Sequence, residues 1–218
     1  MNWLTQTHRK IAWKDLEAIQ NVCVEQVKKA PETGHLLISE PLPTFTYGRS
    51  ASGSDLLWSS AQLAQRKIAV EQVTRGGKWT YHGPGQILIY PIVQLESLGY
   101  PNRGILRFLN DFRSLLVGYL SEHQIATDID RKPFGIYSLK AEKLASFGVA
   151  VNRGICSHGV ALYLKDQSAA FHGINPCGVT HQPVTHLEAL GYSKDWATLA
   201  AEITDIVKRN FGIPNISK

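Results

Sequence analysis

Short strand-like runs, several of them too close together for a helix to fit between, constrain most how this chain can fold. They fall at residues 35–39, 44–47, 69–73, 86–93, 135–138, 144–152, 159–164 and 169–174, and Val, Ile, Tyr and Phe recur in them. Parallel neighbours need a long crossover, whereas antiparallel neighbours need only a turn. The spacing therefore predicts an α+β chain with mixed, largely antiparallel sheets flanked by helices, rather than a doubly wound parallel sheet. Helical periodicity marks three longer segments. Residues 15–29 place Leu16, Ile19, Val22, Cys23 and Val27 on one face. Residues 103–123 repeat apolar side chains from Ile105 to Leu120 behind Asn102 as an N-cap. Residues 193–210 carry Trp196, Leu199, Ile203, Ile206 and Val207 before the stop signals Gly212 and Pro214. A short helix is expected over 60–65. No linker divides the sequence, so residues 1–218 read as one domain, with a C-terminal helical segment beginning near residue 190.

Composition narrows the functional classes. With 44% hydrophobic and 19% charged residues among 218, the chain can bury a core and is not of the disordered type. Its longest clean apolar run, residues 87–93, falls far short of the ~20 residues of a membrane span. The first fifteen residues lack the apolar region of a secretory signal. Three cysteines, Cys23, Cys156 and Cys177, form an odd, sparse set that suits a reducing compartment. A cytoplasmic protein without a membrane partner is expected. The net charge of +5 leaves nucleic acid, anionic surfaces and acidic proteins open as partners. The basic residues are dispersed, however, and no nucleic-acid-binding motif accompanies them, so no nucleic acid is expected.

Three stretches carry chemistry. The first is Arg75-Gly76-Gly77-Lys78-Trp79-Thr80-Tyr81-His82-Gly83-Pro84-Gly85-Gln86, four glycines and a proline between two strand-like runs. Glycine lets backbone approach a ligand closely, although the same content also suits a plain hairpin loop. It is not a phosphate loop, because Trp79 follows Gly77-Lys78 and Gln72 stands at the required upstream glycine. The second is Asn175-Pro176-Cys177-Gly178, which holds a cysteine at a turn. An inert cysteine is the commoner fate; nucleophilic use needs a neighbour that favours the thiolate. His158, His172, His181 and His186 are candidates for that neighbour. So is Lys143, in the third stretch, Lys143-Leu144-Ala145-Ser146-Phe147-Gly148. An exposed lysine is the default reading there, but one desolvated in a pocket can act as a base. Cys23 suits the apolar face of the first helix and Cys156 suits strand packing. No zinc-ligand spacing links the cysteines and histidines, so no metal is expected.

Taken in order, these stretches resemble the octanoyltransferases of lipoate biosynthesis, the lipoyl(octanoyl) transferases. The resemblance runs through Phe45-Thr46-Tyr47-Gly48-Arg49, the whole of residues 75–86, residues 143–148, His158-Gly159-Val160-Ala161-Leu162, Pro176-Cys177-Gly178-Val179 and Val184-Thr185-His186-Leu187. It implies the fold of biotin and lipoate protein ligases. It implies Cys177 as the acyl-thioester nucleophile and Lys143 as the residue that lowers its pKa and takes its proton. Arg75, Gly76, Gly77, Lys78, Trp79, Thr80, Tyr81 and His82 would line the substrate pocket. Ser146, Phe147, Gly148, Gly159, Val160 and Ala161 would form its other wall. The implied donor is octanoyl-acyl carrier protein, carrying its own phosphopantetheine, with no ATP, metal or other cofactor required. The implied acceptors are lipoyl domains of 2-oxoacid dehydrogenase E2 subunits and the glycine cleavage H protein, with the enzyme a monomer. The sequence departs from the family pattern at Tyr163, where Asn is usual, at His186, where Ser is common, and at the bulky pair Lys78-Trp79. Competing readings are an octanoyl amidotransferase, an ATP-dependent lipoate ligase on the same fold, a Cys–His hydrolase and a non-catalytic basic binding protein.

Overall fold

Alternation of buried side chains along the central strands sorts the apolar residues into two cores, one on each face of a sheet. The computed structural model describes residues 1–101, 104–176 and 182–212. In chain order the elements are β1 (Asn2–Ile11), α1 (Trp13–Lys29), β2 (Thr33–Pro41), β3 (Thr44–Tyr47), α2 (Ser60–Gln65), β4 (Ala69–Gln72), β5 (Trp79–His82) and β6 (Gln86–Gln94). There follow α3 (Ile105–Glu122), β7 (Thr127–Asp128), β8 (Gly135–Ser138), β9 (Lys143–Asn152), β10 (Ile155–Tyr163), α4 (Ser168–Phe171) and α5 (Trp196–Phe211). Among the described residues, seven strands form one sheet in the order β1-β2-β6-β10-β9-β8-β7, and three form a smaller sheet, β4-β3-β5.

The sheets are mixed. β1 runs parallel to β2, with α1 as the crossover, and β3 runs parallel to β4. The remaining pairs are antiparallel. Leu36 and Ile38 of β2, Ile87 and Ile89 of β6, and Val160 and Leu162 of β10 face α3 and α5, where Phe108, Phe112, Leu199 and Ile203 complete one core. Leu37, Leu88, Tyr90, Ala161 and Tyr163 point to the opposite face, against Leu16 and Cys23 of α1 and Phe45, Trp79 and Tyr81 of the smaller sheet. The segment expected from about residue 190 thus becomes α5, packed into the first core. Asp195 caps it, its side chain accepting from Thr198 N–H. No helix among the described residues is long and apolar enough to cross a membrane.

Several boundaries differ from the sequence reading. β1 was not expected, because only Trp3 in it is buried and its other side chains show no clean alternation. β5 lies inside the glycine-rich stretch. β10 begins at Ile155, earlier than residue 159. Residues 169–174, read as a strand, instead begin in α4: Asp166 Oδ1 accepts from Ser168 N–H and starts a turn that Ala169 and Ala170 continue. Helix α3 starts at Ile105 with Gly104 at its cap position; the expected cap, Asn102, and Arg103 lie outside the described residues.

Candidate active site

The second core does not close completely, and the opening between the two sheets is where the motif residues meet. β5 pairs with β3 along its length, from Tyr47 opposite Trp79 to Thr44 opposite His82, which fixes one end of the glycine-rich stretch. Arg75 fixes the other. The residue is 7% exposed, and its guanidinium donates to the carbonyls of Gly76 and Lys78 at 2.9 and 3.0 Å and to Thr46 O and Oγ1 at 3.0 and 2.8 Å. Gly48 permits this closeness: a Cβ there would lie 2.5 Å from Gly77 O and 2.7 Å from Arg75 O. The shared Gly48 of one motif and Arg75 of another are therefore two halves of one contact.

The opposite wall is built by a distortion in β10. Its pairing with β6 runs from Ile155 to Cys156, then resumes at Val160 opposite Ile89. In between, β6 carries Pro91, which has no N–H to donate, and His158 adopts φ 57°. Gly159 then passes so near β6 that a Cβ would fall 2.1 Å from Ile89 O. His158 is buried; its N–H donates to Gln20 Oε1 at 2.9 Å, and its Nε2 lies 3.2 Å from Thr74 Oγ1. Burial and then the Arg75 charge push its pKa down to about 4. His82 is stacked on Trp13 with its Nδ1 3.3 Å from Gln86 Oε1, and burial followed by Arg75 lowers its pKa to about 3. Both imidazoles are thus neutral near pH 7.

A cavity of about 220 Å³ lies between these walls. The glycine-rich stretch contributes Arg75, Gly76, Gly77, Lys78, Trp79, Thr80 and His82; β9 contributes Lys143, Ser146, Phe147 and Gly148; β10 contributes Gly159, Val160 and Ala161. Of the residues expected in the wall, Tyr81 alone is elsewhere. It points to the other side of β5, edge-on to Phe45 and Phe171, with its hydroxyl folded over Gly83. Tyr90, Pro133, Phe134, Phe171, Pro176, Gln182 and Val184 also line the cavity. None had been singled out for the pocket. Of these, Pro176 and Val184 lie within the family motifs and carry a sequence signal for the pocket.

Lys143 opens β9 and is 4% exposed. Its N–H donates to Pro183 O at 2.8 Å and its carbonyl accepts from Thr185 N–H at 2.9 Å, so residues 183–185 clasp the start of the strand. Cys177, with Gly178, Val179, Thr180 and His181, lies outside the described residues. The described residues on either side of that segment, Pro176 and Gln182, both border the cavity that Lys143 enters. Neither His158 nor His172 lines it, and His172 is exposed beyond α4. Cys23 and Cys156 are buried with raised pKa values, Cys156 to about 12 by burial, which suits packing rather than thiolate chemistry. Tyr163, the departure from Asn, is fully buried and places its hydroxyl 2.6 Å from Ser146 Oγ on the cavity wall.

Comparison with known proteins places the chain in a family. Residues 15–209 match the family model of the lipoyl protein ligase A/B catalytic domain. An octanoyltransferase of Koribacter versatilis is 33% identical over 199 residues, covering 90% of this chain and 77% of the relative. One of Parabacteroides distasonis is 30% identical over 213 residues, covering 93% and 95%. Among solved structures, the chain is similar to a bi-partite lipoate protein ligase of Thermoplasma acidophilum (TM-score 0.72, 8% identity, covering 96% of this chain and 85% of that one). It is similar to a lipoate-protein ligase A bound with ATP as well (TM-score 0.70, 8% identity, 100% and 87%). At such identities the structures speak for the fold alone.

Proposed function

The chain belongs to the lipoyl protein ligase A/B catalytic-domain family, and from that premise we propose that it transfers an octanoyl group from acyl carrier protein to a lysine of a lipoyl domain, through a thioester on Cys177. The observation that carries this reading is one cavity bordered by buried Lys143, by the glycine-rich wall and by both described flanks of the Cys177 segment. The octanoyltransferase relatives support an acyl transfer rather than an adenylate-forming reaction on the shared fold.

The chemistry follows from the placement. Burial disfavours the ammonium form of a lysine, which makes neutral Lys143 a fit acceptor for the Cys177 thiol proton. The thiolate attacks the octanoyl thioester carbonyl, the donor carbon–sulfur bond breaks, and the departing pantetheine thiolate takes its proton from the Lys143 ammonium. The acceptor amine then attacks the acyl group on Cys177. The carbon–sulfur bond to Cys177 breaks, Lys143 takes the amine proton and passes it to the departing Cys177 thiolate, and an amide forms. Thioester exchange is nearly balanced and amide formation is downhill, so neither ATP nor a metal enters a step. Ala161 brings only a small side chain to the cavity wall, beside which the acyl chain would lie. The site works in the cytoplasm, where acyl carrier protein and lipoyl domains meet, and the dispersed +5 charge suits acidic protein partners.

The test is reconstitution with octanoyl-acyl carrier protein and a lipoyl domain, read by the mass of the lipoyl domain. Octanoylation without ATP is expected. Product formed only from free octanoate and ATP would make the chain a ligase, and thioester hydrolysis without transfer would make it a hydrolase.

A further inference from the structure

The base of the proposed reaction must accept a proton inside a buried site, and the fold supplies a partner for the resulting cation that no motif marks. Lys143 Nζ stands over the face of the Tyr137 ring, 5.4 Å from its centroid. Tyr137 belongs to β8 and is 1% exposed. Two features hold the pair in register. Gly135 leaves a groove for the lysine stem: a Cβ there would lie 3.0 Å from Lys143 Cε and 3.3 Å from Tyr137 Cε2. The Tyr137 hydroxyl donates to Pro133 O, which pins the ring and ties it to the cavity-lining residues Pro133 and Phe134. Between these anchors the ring is fixed, with its electron-rich face turned to the amine.

We propose that Tyr137 is a positioning residue that sets the proton affinity of Lys143. An aromatic face attracts a cation electrostatically, and more strongly where water is excluded. Burial disfavours the charged form of any lysine, and a group that favours the cation offsets part of that penalty once the proton has moved. The ring stabilises the ammonium form without offering an acceptor that would hold the lysine permanently charged. Other titratable or charged groups bordering the site among the described residues are Arg75, Lys78 and His82 on the glycine-rich wall, Tyr90 of β6, its phenol held neutral by burial, and Tyr163 behind Ser146; Gln182 and Val184 bring none. Of these, the cations oppose a charge on Lys143 and neutral His82 leaves it unchanged, whereas the Tyr137 ring face favours it. This inference rests on the reading of Lys143 as the base, with Cys177 as its proton donor.

The experiment titrates Lys143 directly, by NMR of its labelled ammonium group, in protein carrying Cys177→Ala so that no thiolate contributes. Tyr137→Phe keeps the ring and is expected to titrate with the parent. Tyr137→Leu removes the ring face, and Lys143 is expected to lose its proton roughly one pH unit lower. Fluorinated phenylalanines at position 137, which keep the shape while draining the ring face, are expected to lower it stepwise even if Tyr137→Leu does not fold. A Tyr137→Leu or fluorinated protein that titrates with the parent would overturn the proposal, as would Tyr137→Phe moving as far as Tyr137→Leu. The readout needs no turnover, so it stands apart from the transfer test: absent octanoylation would sink the proposed function, whereas an unmoved titration sinks only this inference.

Discussion

At the scale of single residues, the site separates groups that do chemistry from groups that hold them. Lys143 is buried and at the cavity, and replacing it by Met keeps the length and apolar stem while removing the base. Lys143→Met is expected to slow formation of the acyl-enzyme by about 10²-fold or more with little change in thermal stability, measured by single-turnover mass spectrometry and melting. A near-normal rate would reject the role. Arg75 does a different job from the one its place in the wall suggests. Its guanidinium donates to the carbonyls of Gly76, Lys78 and Thr46 and to the Thr46 hydroxyl, so it staples the loop to β3. Lysine cannot reproduce that fork. Arg75→Lys is expected to cost about 2 kcal/mol in denaturant unfolding and to raise the KM for acyl donor more than it lowers kcat.

At the scale of elements, one cavity wall comes from the part of β10 where its pairing with β6 is interrupted beside Pro91 and Gly159 lies against Ile89 O. Gly159→Ala is expected to destabilise the protein by about 1–3 kcal/mol in denaturant unfolding, since a 2.1 Å contact with backbone must be relieved by moving a central strand. A neutral effect would contradict a rigid contact between these two strands. The same elements show what could be read before folding. Helices α1, α3 and α5 were legible because their apolar spacing is local, and β3, β6, β8 and β9 because their residues are β-branched or aromatic between turns. β1 was not, since its pairing with β2 depends on α1 having already reversed the chain. β5 was hidden because its four residues sit among glycines and become a strand only by pairing with β3. The wall residues of the glycine-rich stretch, β9 and β10 could be named from motifs. Tyr90, Phe134 and Phe171 could not, because they reach the cavity from separate segments through tertiary packing alone.

At the scale of the whole molecule, the site lies between a large sheet and a small one, and its cost shows in how stability depends on pH. His82 and His158 sit neutral in the folded chain, with pKa values near 3 and 4 against an ordinary 6.5. The unfolded chain therefore binds more protons between those values, so their contribution is complete above about pH 6.5 and is lost as pH falls towards about 4 and then 3. Each histidine is expected to steepen the loss by about 1.4 kcal/mol per pH unit within that window, and His158→Gln should flatten the pH 5–6 slope of unfolding free energy by about that amount. An unchanged slope would place the proton uptake elsewhere. The two-sheet architecture serves ligases and transferases alike, so the fold leaves the reaction open and the thioester decides it. The most direct measurement is the intact mass of the pure protein after incubation with octanoyl-acyl carrier protein and no ATP. One octanoyl adduct, removed by hydroxylamine and abolished by Cys177→Ser, is the predicted result; folded protein that gains no adduct, or an adduct that survives Cys177→Ser, would contradict it.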